Sequence, residues 1–527
     1  MKLLQAIFAN HGLTRCLKNP HLFGNDLKKC SIIQRRTLAL FTQKYNAKSY
    51  DGNFSIKHFS NGHCSIKDAL DASNIGKKLS IQGWVKSHRK QKLFSFIEVD
   101  DGLTLGGKKL QVICDSDKIQ DGIKYHSAIK VTGTLIKSDH PMQEVELQAD
   151  EIKLMSPMTN SKYPFQPRKK YDDEHPRNFP HFRAKLNDFS TMLRIRSALT
   201  FAIHEYFQSQ NFIQIQTPVL TSNDCEGAGE QFLVTPANSE VSKVMKKTNI
   251  EDLNQAYFDK KTFLTVSGQL HLEAICNGIE KVYTFNPAFR AEKGRTRRHL
   301  SEFCMIEAEV AFLENHEDLL SLQENLIKKS LQKVLDSHQR DIEYYLYLSD
   351  LKFKANEANL NHLNKVLNNE FIIMTYQEAL DILDKNRNEF KAPVDPNDGL
   401  GKEHETFLAE KYTNGVPIFI IDWPKNLKAF YARSKSENVV EACDLLFPSV
   451  GELCGGALRE HDYEILESNI KQLGIEGLDW YLDLRSSGAA PMGGFGLGFE
   501  RLVQFLLKTY NIRDTIPFSR RPHDCKL

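Results

Sequence analysis

Apolar residues in this chain change period once, and that change divides it. Between residues 77 and 155 the runs "KLSIQGWVKSHR", "LFSFIEVDD", "KLQVICD", "AIKVTGTLIK" and "QEVELQADEIKLM" alternate or are continuously apolar and β-branched, with Gly and Asp turns between them. Five such strands over residues 77–157 predict a small closed barrel, for which the OB-fold is the commonest solution. Residues 158–187 are rich in Pro and charge without a period, and read as a hinge. From 188 the period lengthens. Ile195, Ala198, Leu199, Ala202, Ile203 and Tyr206 fall at helical spacing, and "NFIQIQTPVL", "KTFLTVSGQL", "EKVYTFNPAFRAE", "SEFCMIEAEVAFL", "VPIFIIDWP" and "VVEACDLLF" then read as strands. Helices are expected at about 315–336 and 375–384, and insertions at 238–260 and 340–370. The pattern predicts an α+β domain over 188–527, a mainly antiparallel sheet flanked by helices.

Composition narrows the partners. With 41% hydrophobic and 26% charged residues and no 18-residue apolar run, no membrane span is expected. Residues 1–50 carry nine Lys and Arg against one acid, Asp26, whereas the whole chain has a net charge of only +2. This basic segment, with an amphipathic start, reads as a mitochondrial targeting sequence, which places the mature protein in the matrix; a disordered basic arm is the alternative. Nucleic-acid binding by the rest must therefore rest on local patches. The ten cysteines are scattered, without CxxC or Cys/His ligand spacing, which argues against structural zinc and suits a reduced compartment.

Three stretches carry chemistry. In "FRAEKGRTRRHLSEF" (289–303) five cations, Arg290, Lys293, Arg295, Arg297 and Arg298, surround a glycine between two strands, so the loop can close over a polyanion. Beyond it Phe303, Met305, Glu307 and Glu309 share one strand face, a poor face to bury. Taken alone, the stretch is also compatible with a solvated basic hairpin. In "EACDLLFPSVGELCGGALRE", Asp444 and Glu452 flank a loop and offer two hard oxygen ligands for Mg²⁺; a surface turn with a salt bridge would look the same. In "GGFGLGFERLVQFLL" the apparent dinucleotide fingerprint fails, since no βαβ unit or acidic ribose partner follows. Its glycines instead allow close backbone approach to a flat ligand, and Arg501 opens an amphipathic helix.

Taken in order, "FIQIQTPVL", "FRAE…RHLSEF…E" and "GLGFER" resemble the three motifs of class II aminoacyl-tRNA synthetases, and the barrel is similar to that of the Asp/Asn/Lys subgroup. "TSNDCEGAGEQFLV", "SGQLHLEA", "GELCGGALREHDYE" and "DTIPFSRRP" resemble asparaginyl-tRNA synthetases, over residues about 77 to 527. The resemblance implies ATP, L-asparagine and tRNA(Asn) as substrates, Mg²⁺ as cofactor, and a homodimer formed around Pro218. It implies Arg290 on the α-phosphate, His299 near the γ-phosphate, and adenine between Phe303 and Arg501, with Glu292 and Arg298 in the same pocket. Asp444 and Glu452 would hold the metal. Glu226, Ser267, Gln269, Glu307 and Arg459 would surround the asparagine, Glu307 accepting from its amide and Arg459 donating to its carbonyl. Arg89, Phe96 and Gln111 would meet the anticodon, with Phe96 as the stacking platform, although Phe94 shares its parity and one of the two could be core. Activation would proceed by in-line attack on the α-phosphorus, with no protein base required. An aspartyl or relaxed Asp/Asn enzyme, an amide-forming ligase on the same fold, and a degenerate RNA-binding relative are the competing readings.

Overall fold

The computed structural model describes residues 63–527 apart from 118, 142, 168, 224–229, 295, 354–358 and 393, so the segment 1–50, Glu226 and Arg295 lie outside the described residues. Strands β1 (Lys78–Lys90), β2 (Phe94–Asp100), β3 (Leu110–Asp115), β4 (Ala128–Lys137) and β5 (Val145–Ser156) close into a barrel in the order β1-β2-β3-β5-β4. The period of two turns Ile81, Val85, Ile97, Val99, Val112, Val131 and Leu147 inward, where all are fully buried. Neither Phe94 nor Phe96 joins them. Both lie on the other face of β2, which resolves their shared parity in favour of the surface.

Past the hinge, helix α1 (Asn187–Ser209) leads into strands β6 (Ile213–Gln214) and β7 (Leu220–Thr221), then β8 (Phe263–Leu264), α2 (Gln269–Cys276), β9 (Lys281–Phe289) and β10 (Glu302–Ala311). There follow α3 (His316–Phe353), α4 (Asn361–Asn368), β11 (Ile372–Thr375), α5 (Tyr376–Lys385), β12 (Ile418–Pro424), β13 (Val439–Phe447), β14 (Gly451–Leu458), α6 (Tyr463–Leu473), α7 (Asp479–Ser486), β15 (Met492–Gly498) and α8 (Phe499–Leu506). Eight strands form one sheet, ordered β11-β12-β13-β14-β15-β10-β9-β6, antiparallel except for the parallel pairs at its two edges. Ile306 and Ala308 of β10 enter the main core with Ile195, Leu199, Ile203 and Phe207 of α1 and Leu320, Ile327, Leu331 and Val334 of α3. Helices thus cover one face of the sheet, and the opposite face is left for the site.

Two expectations are corrected. "FIQIQTPVL" is not a continuous strand: only Ile213–Gln214 and Leu220–Thr221 pair, and Pro218, which has no N–H to give a ladder, lies between them. Nor is 340–370 a plain insertion, because beyond a kink at His338 α3 continues to Phe353 and uses this second part to dock the barrel. Asp341, fully buried, accepts from the Gly106 N–H at 2.7 Å and from Arg194 Nε and Nη2 at 2.8 and 2.9 Å, while Arg194 Nη1 donates to Gly102 O at 2.7 Å. Across the same joint Lys86 Nζ donates to Lys185 O at 2.9 Å and pairs with Asp100 at 3.3 Å. The hinge is ordered as well, with Arg177 and Arg183 both holding Asp514.

One buried carboxylate therefore joins three chain segments. Removing one partner of such a pair leaves the other buried without its counter-charge. Asp341→Asn should destabilise the protein by about 3 kcal/mol. In a urea titration the emission of Trp84 in the barrel should then change before that of Trp423 and Trp480. A single transition at the wild-type midpoint would show that the joint does not depend on this charge.

Candidate active site

The uncovered face of the sheet encloses a cavity of about 380 Å³. It is lined by every predicted ATP, metal and amino-acid residue except Glu226, which lies outside the described residues: Ser267, Gln269, Arg290, Glu292, Arg298, His299, Phe303, Glu307, Asp444, Glu452, Arg459 and Arg501. These come from residues 267 to 501, so the sheet rather than local sequence brings them together.

At one end β9 and β10 present the cationic loop. The guanidinium of Arg290 lies 5.6 Å from the centre of the Phe303 ring. Arg298 donates to Ser449 O at 2.8 Å, tying the loop to the β13–β14 turn. His299 Nδ1 is 2.7 Å from Thr296 Oγ1, and its Nε2 is 3.7 Å from Glu292. Burial, opposed by Glu292 and aided by Arg501, Lys402 and Arg298, lowers the pKa of His299 below the ordinary imidazole value. Arg501 at the start of α8 donates to Glu452 O and has Glu452 Oε2 4.0 Å away. Its neighbour Glu500 fixes that helix end, accepting from Arg196 at 2.7 Å and from the Cys304 N–H at 2.9 Å.

Beside the loop the carboxylates crowd. Asp444 is held up at about 6 by burial against the pull of Lys428, whose Nζ lies 2.6 and 2.5 Å from its two oxygens. A third acid absent from the sequence-based list, Glu405 on the short helix Lys402–Thr406, accepts from the Glu452 N–H at 3.3 Å. Burial first, then the charge of Glu452, pushes it to about 7. Neither Lys428 nor Glu405 sits in a stretch that marks it; a buried cation–anion pair 16 residues apart has no local signature.

The far end is built on two glutamates of β10. Glu307 accepts from Ser267 Oγ and from the Gly268 N–H at 2.9 Å. Burial raises its pKa above the ordinary value, and those donors oppose the rise. Glu309 receives a two-pronged bond from Arg459, Nε and Nη2 each at 2.9 Å. Its carboxylate lies across β15, where a Cβ on Gly494 would sit 1.9 Å from Oε2, so only glycine fits. Behind it the fully buried Glu273 of α2 accepts from Tyr481 at 2.6 Å, from Arg485 at 2.8 Å and from the Gln269 side-chain amide at 3.1 Å. With its N–H₂ committed there, Gln269 keeps its carbonyl oxygen as an acceptor. The expectation that this face is poor to bury is thus corrected: Glu307 and Glu309 are 4% and 0% exposed, and each is satisfied by fixed donors. The sequence marks neither Glu273 nor Arg485, and it marks Glu309 only as sharing the face of Glu307.

On the barrel, Arg89, Phe96 and Gln111 occupy adjacent strands. Arg89 is the cross-strand partner of Phe96, its guanidinium 5.0 Å from the ring centre, and Gln111 donates to Glu146 at 3.1 Å. Exposed Trp84 and Phe94 are apolar residues of the same two strands, β1 and β2.

The family profile "tRNA synthetases class II (D, K and N)" matches residues 172–522, and "OB-fold nucleic acid binding domain" matches 79–155. An asparaginyl-tRNA synthetase of Homo sapiens is 41% identical over 89% of this chain and 96% of its own length. An asparagine–tRNA ligase of Clostridium botulinum is 40% identical over 85% and 95%. The crystal structure of asparaginyl-tRNA synthetase from Pyrococcus horikoshii, complexed with asparaginyl-adenylate, superimposes with a TM-score of 0.74 at 28% identity, covering 86% of this chain and 97% of that one. With fold, cavity and relatives in agreement, the chain belongs to the class II aminoacyl-tRNA synthetases, and within them to the asparaginyl-tRNA synthetase family.

Proposed function

We propose that this aminoacyl-tRNA ligase activates L-asparagine with ATP and transfers it to tRNA(Asn) in mitochondria. The observation that carries the choice of amino acid is the pairing of Arg459 with Glu309. Because that guanidinium already has a bidentate counter-ion, it is a poor receptor for a substrate carboxylate but still has Nη1 to donate to an amide carbonyl. Glu307 would repel aspartate and accept from the asparagine amide, and the Gln269 carbonyl would receive the substrate ammonium.

ATP would lie along the cationic loop. Arg290 and Arg501 would bind its charge and base, with Phe303 as the flat partner of the adenine. His299, neutral by burial, would donate to phosphate from Nε2. Asp444 and Glu452 fit a metal: Glu452 Oε1 and Asp444 Oδ1 lie 3.3 and 3.6 Å from the point a Cβ on Gly455 would occupy, so glycine leaves a gap between them. Among the described residues no group of three or more His, Cys, Asp and Glu is arranged as ligands, which suits an ion completed by water and phosphate. Bound there, Mg²⁺ would neutralise phosphate charge. The residues of the chain hold the amino-acid carboxylate and the α-phosphorus in line, and placement with charge neutralisation supplies most of the acceleration. The barrel would stack an anticodon base on Phe96 and read its edge with Arg89 and Gln111. Exposed Phe201 of α1 and Ile213 on the edge strand β6 support a homodimer. The basic residues 1–50 support mitochondrial import.

Pyrophosphate exchange by the full chain with Mg·ATP tests the reading. Exchange is expected with asparagine and, at least 1,000-fold weaker in kcat/KM, with aspartate, on the order of what an unpaired buried polar group costs. Equal exchange with aspartate would make this a relaxed or aspartyl enzyme. Glu307→Gln should lower kcat/KM for asparagine on the order of 100-fold and narrow the gap to aspartate; an unchanged ratio would remove Glu307 from discrimination. Gly455→Ala, placing a methyl between the two carboxylates, should raise the Mg²⁺ requirement on the order of tenfold. A wild-type Mg²⁺ titration would mean that the ion sits elsewhere.

A further inference from the structure

Lys428 belongs to no role assigned above, yet it makes a close contact with both oxygens of a carboxylate in the ATP end of the cavity. Its Nζ approaches both oxygens of Asp444, at 2.6 and 2.5 Å, and so covers the carboxylate that would hold the metal. From behind, the same ammonium rests 3.9 Å from the centre of the Trp423 ring. That indole is fixed: it is buried, its Nε1 donates to Ile420 O at 2.9 Å, and Tyr376 packs on it with ring centres 4.5 Å apart. The other proposed ligand, Glu452, has the Arg501 guanidinium 4.0 Å away. Each carboxylate thus faces a cation of the protein.

We infer that Lys428 is a resident counter-ion, which occupies the charge position beside Asp444 until a metal–nucleotide complex displaces its ammonium onto the phosphates. This rests on the assignment of Asp444 and Glu452 to the metal. Asp444 and Glu452 stand together here, with Glu405 bonded to the Glu452 N–H, and two neighbouring carboxylates without a cation would attract a bare divalent ion. With Lys428 in place, a bare ion must break the pair and leave an ammonium with no anion. A metal carried by ATP brings the replacement anion with it, since Lys428 lines the same cavity as Arg290 and Arg501. The Trp423 face gives the ammonium a second partner during the exchange, because an aromatic face retains its attraction for a cation after the carboxylate is taken. Lys428 thereby makes metal entry depend on nucleotide and adds a positive charge to the phosphate end.

Mn²⁺ binding to the full chain without nucleotide, followed by electron paramagnetic resonance at pH 8.5, tests this apart from any reaction. Lys428→Met should tighten Mn²⁺ binding at least tenfold, while lowering kcat for asparagine-dependent pyrophosphate exchange at saturating Mg·ATP. Lys428→Arg, which keeps the charge, should retain the weak wild-type Mn²⁺ affinity. Unchanged or weaker Mn²⁺ binding in a Lys428→Met protein that melts as a folded chain would overturn the inference and leave Lys428 a packing partner of Asp444. If the wild-type chain shows no exchange with any amino acid, the enzymatic reading fails while the Mn²⁺ comparison still decides the role of Lys428.

Discussion

Arg459 and Glu309 are both buried, and neither would be stable there alone. Leaving one of such a pair without its partner costs roughly 3–5 kcal/mol, so strands β10 and β14 must meet in one register across β15. That requirement propagates. The Glu309 carboxylate needs the bare backbone of Gly494 beneath it, Arg459 is also within 3.7 Å of Glu273, and Glu273 gathers Tyr481, Arg485 and Gln269 from two helices. An ionic floor assembled in this way is rigid because every member has a fixed partner. It is also why both arginines at the amino-acid end are already matched by carboxylates, Arg459 by Glu309 and Arg485 by Glu273.

The opposite end of the cavity works by the reverse logic. There the fold leaves charge in reach of the open cavity, with the cationic loop on one wall and Asp444 and Glu452 on the other. The helices α1 and α3 make this separation possible, since they take up the apolar side of the sheet and leave the second side free for polar groups. Burial then tunes the individual groups: it lowers His299, and it raises Glu405 and Asp444 toward neutrality.

Legibility in the sequence followed the range of the interaction. Strand parity is local, and the barrel, the core face of β10 and the site face carrying Glu307 could be read from a period of two. So could the cationic loop, whose charges lie side by side in the chain. Pairings between distant residues left no trace: Lys428 beside Asp444, Asp341 beside Gly106 and Arg194, and Glu405 beside Glu452 are set by the fold alone. Polar residues misled where partners could not be foreseen. A strand with two glutamates on one face looked unsuited to burial until Ser267, Gly268 and Arg459 arrived to satisfy them. "FIQIQTPVL" erred in the other direction, since alternation predicted more pairing than the partners at a sheet edge provide.

Arg290 and Arg501 face one cavity, yet 211 residues of chain separate them. The wall that Arg501 brings is further secured by later residues, because the Ile512 N–H donates to Arg297 O at 2.9 Å and the Ser301 N–H donates to Arg520 O at 2.7 Å. During synthesis the cationic loop therefore waits for its counterpart. At about 5–20 residues per second that interval is roughly 10–40 seconds. For that time the newborn polypeptide displays arginines and half-covered acids with no finished pocket, a period in which a chaperone has reason to hold it. Reading frames interrupted between codons 157 and 501 would yield a protein that keeps every barrel strand but whose nucleotide pocket can never close.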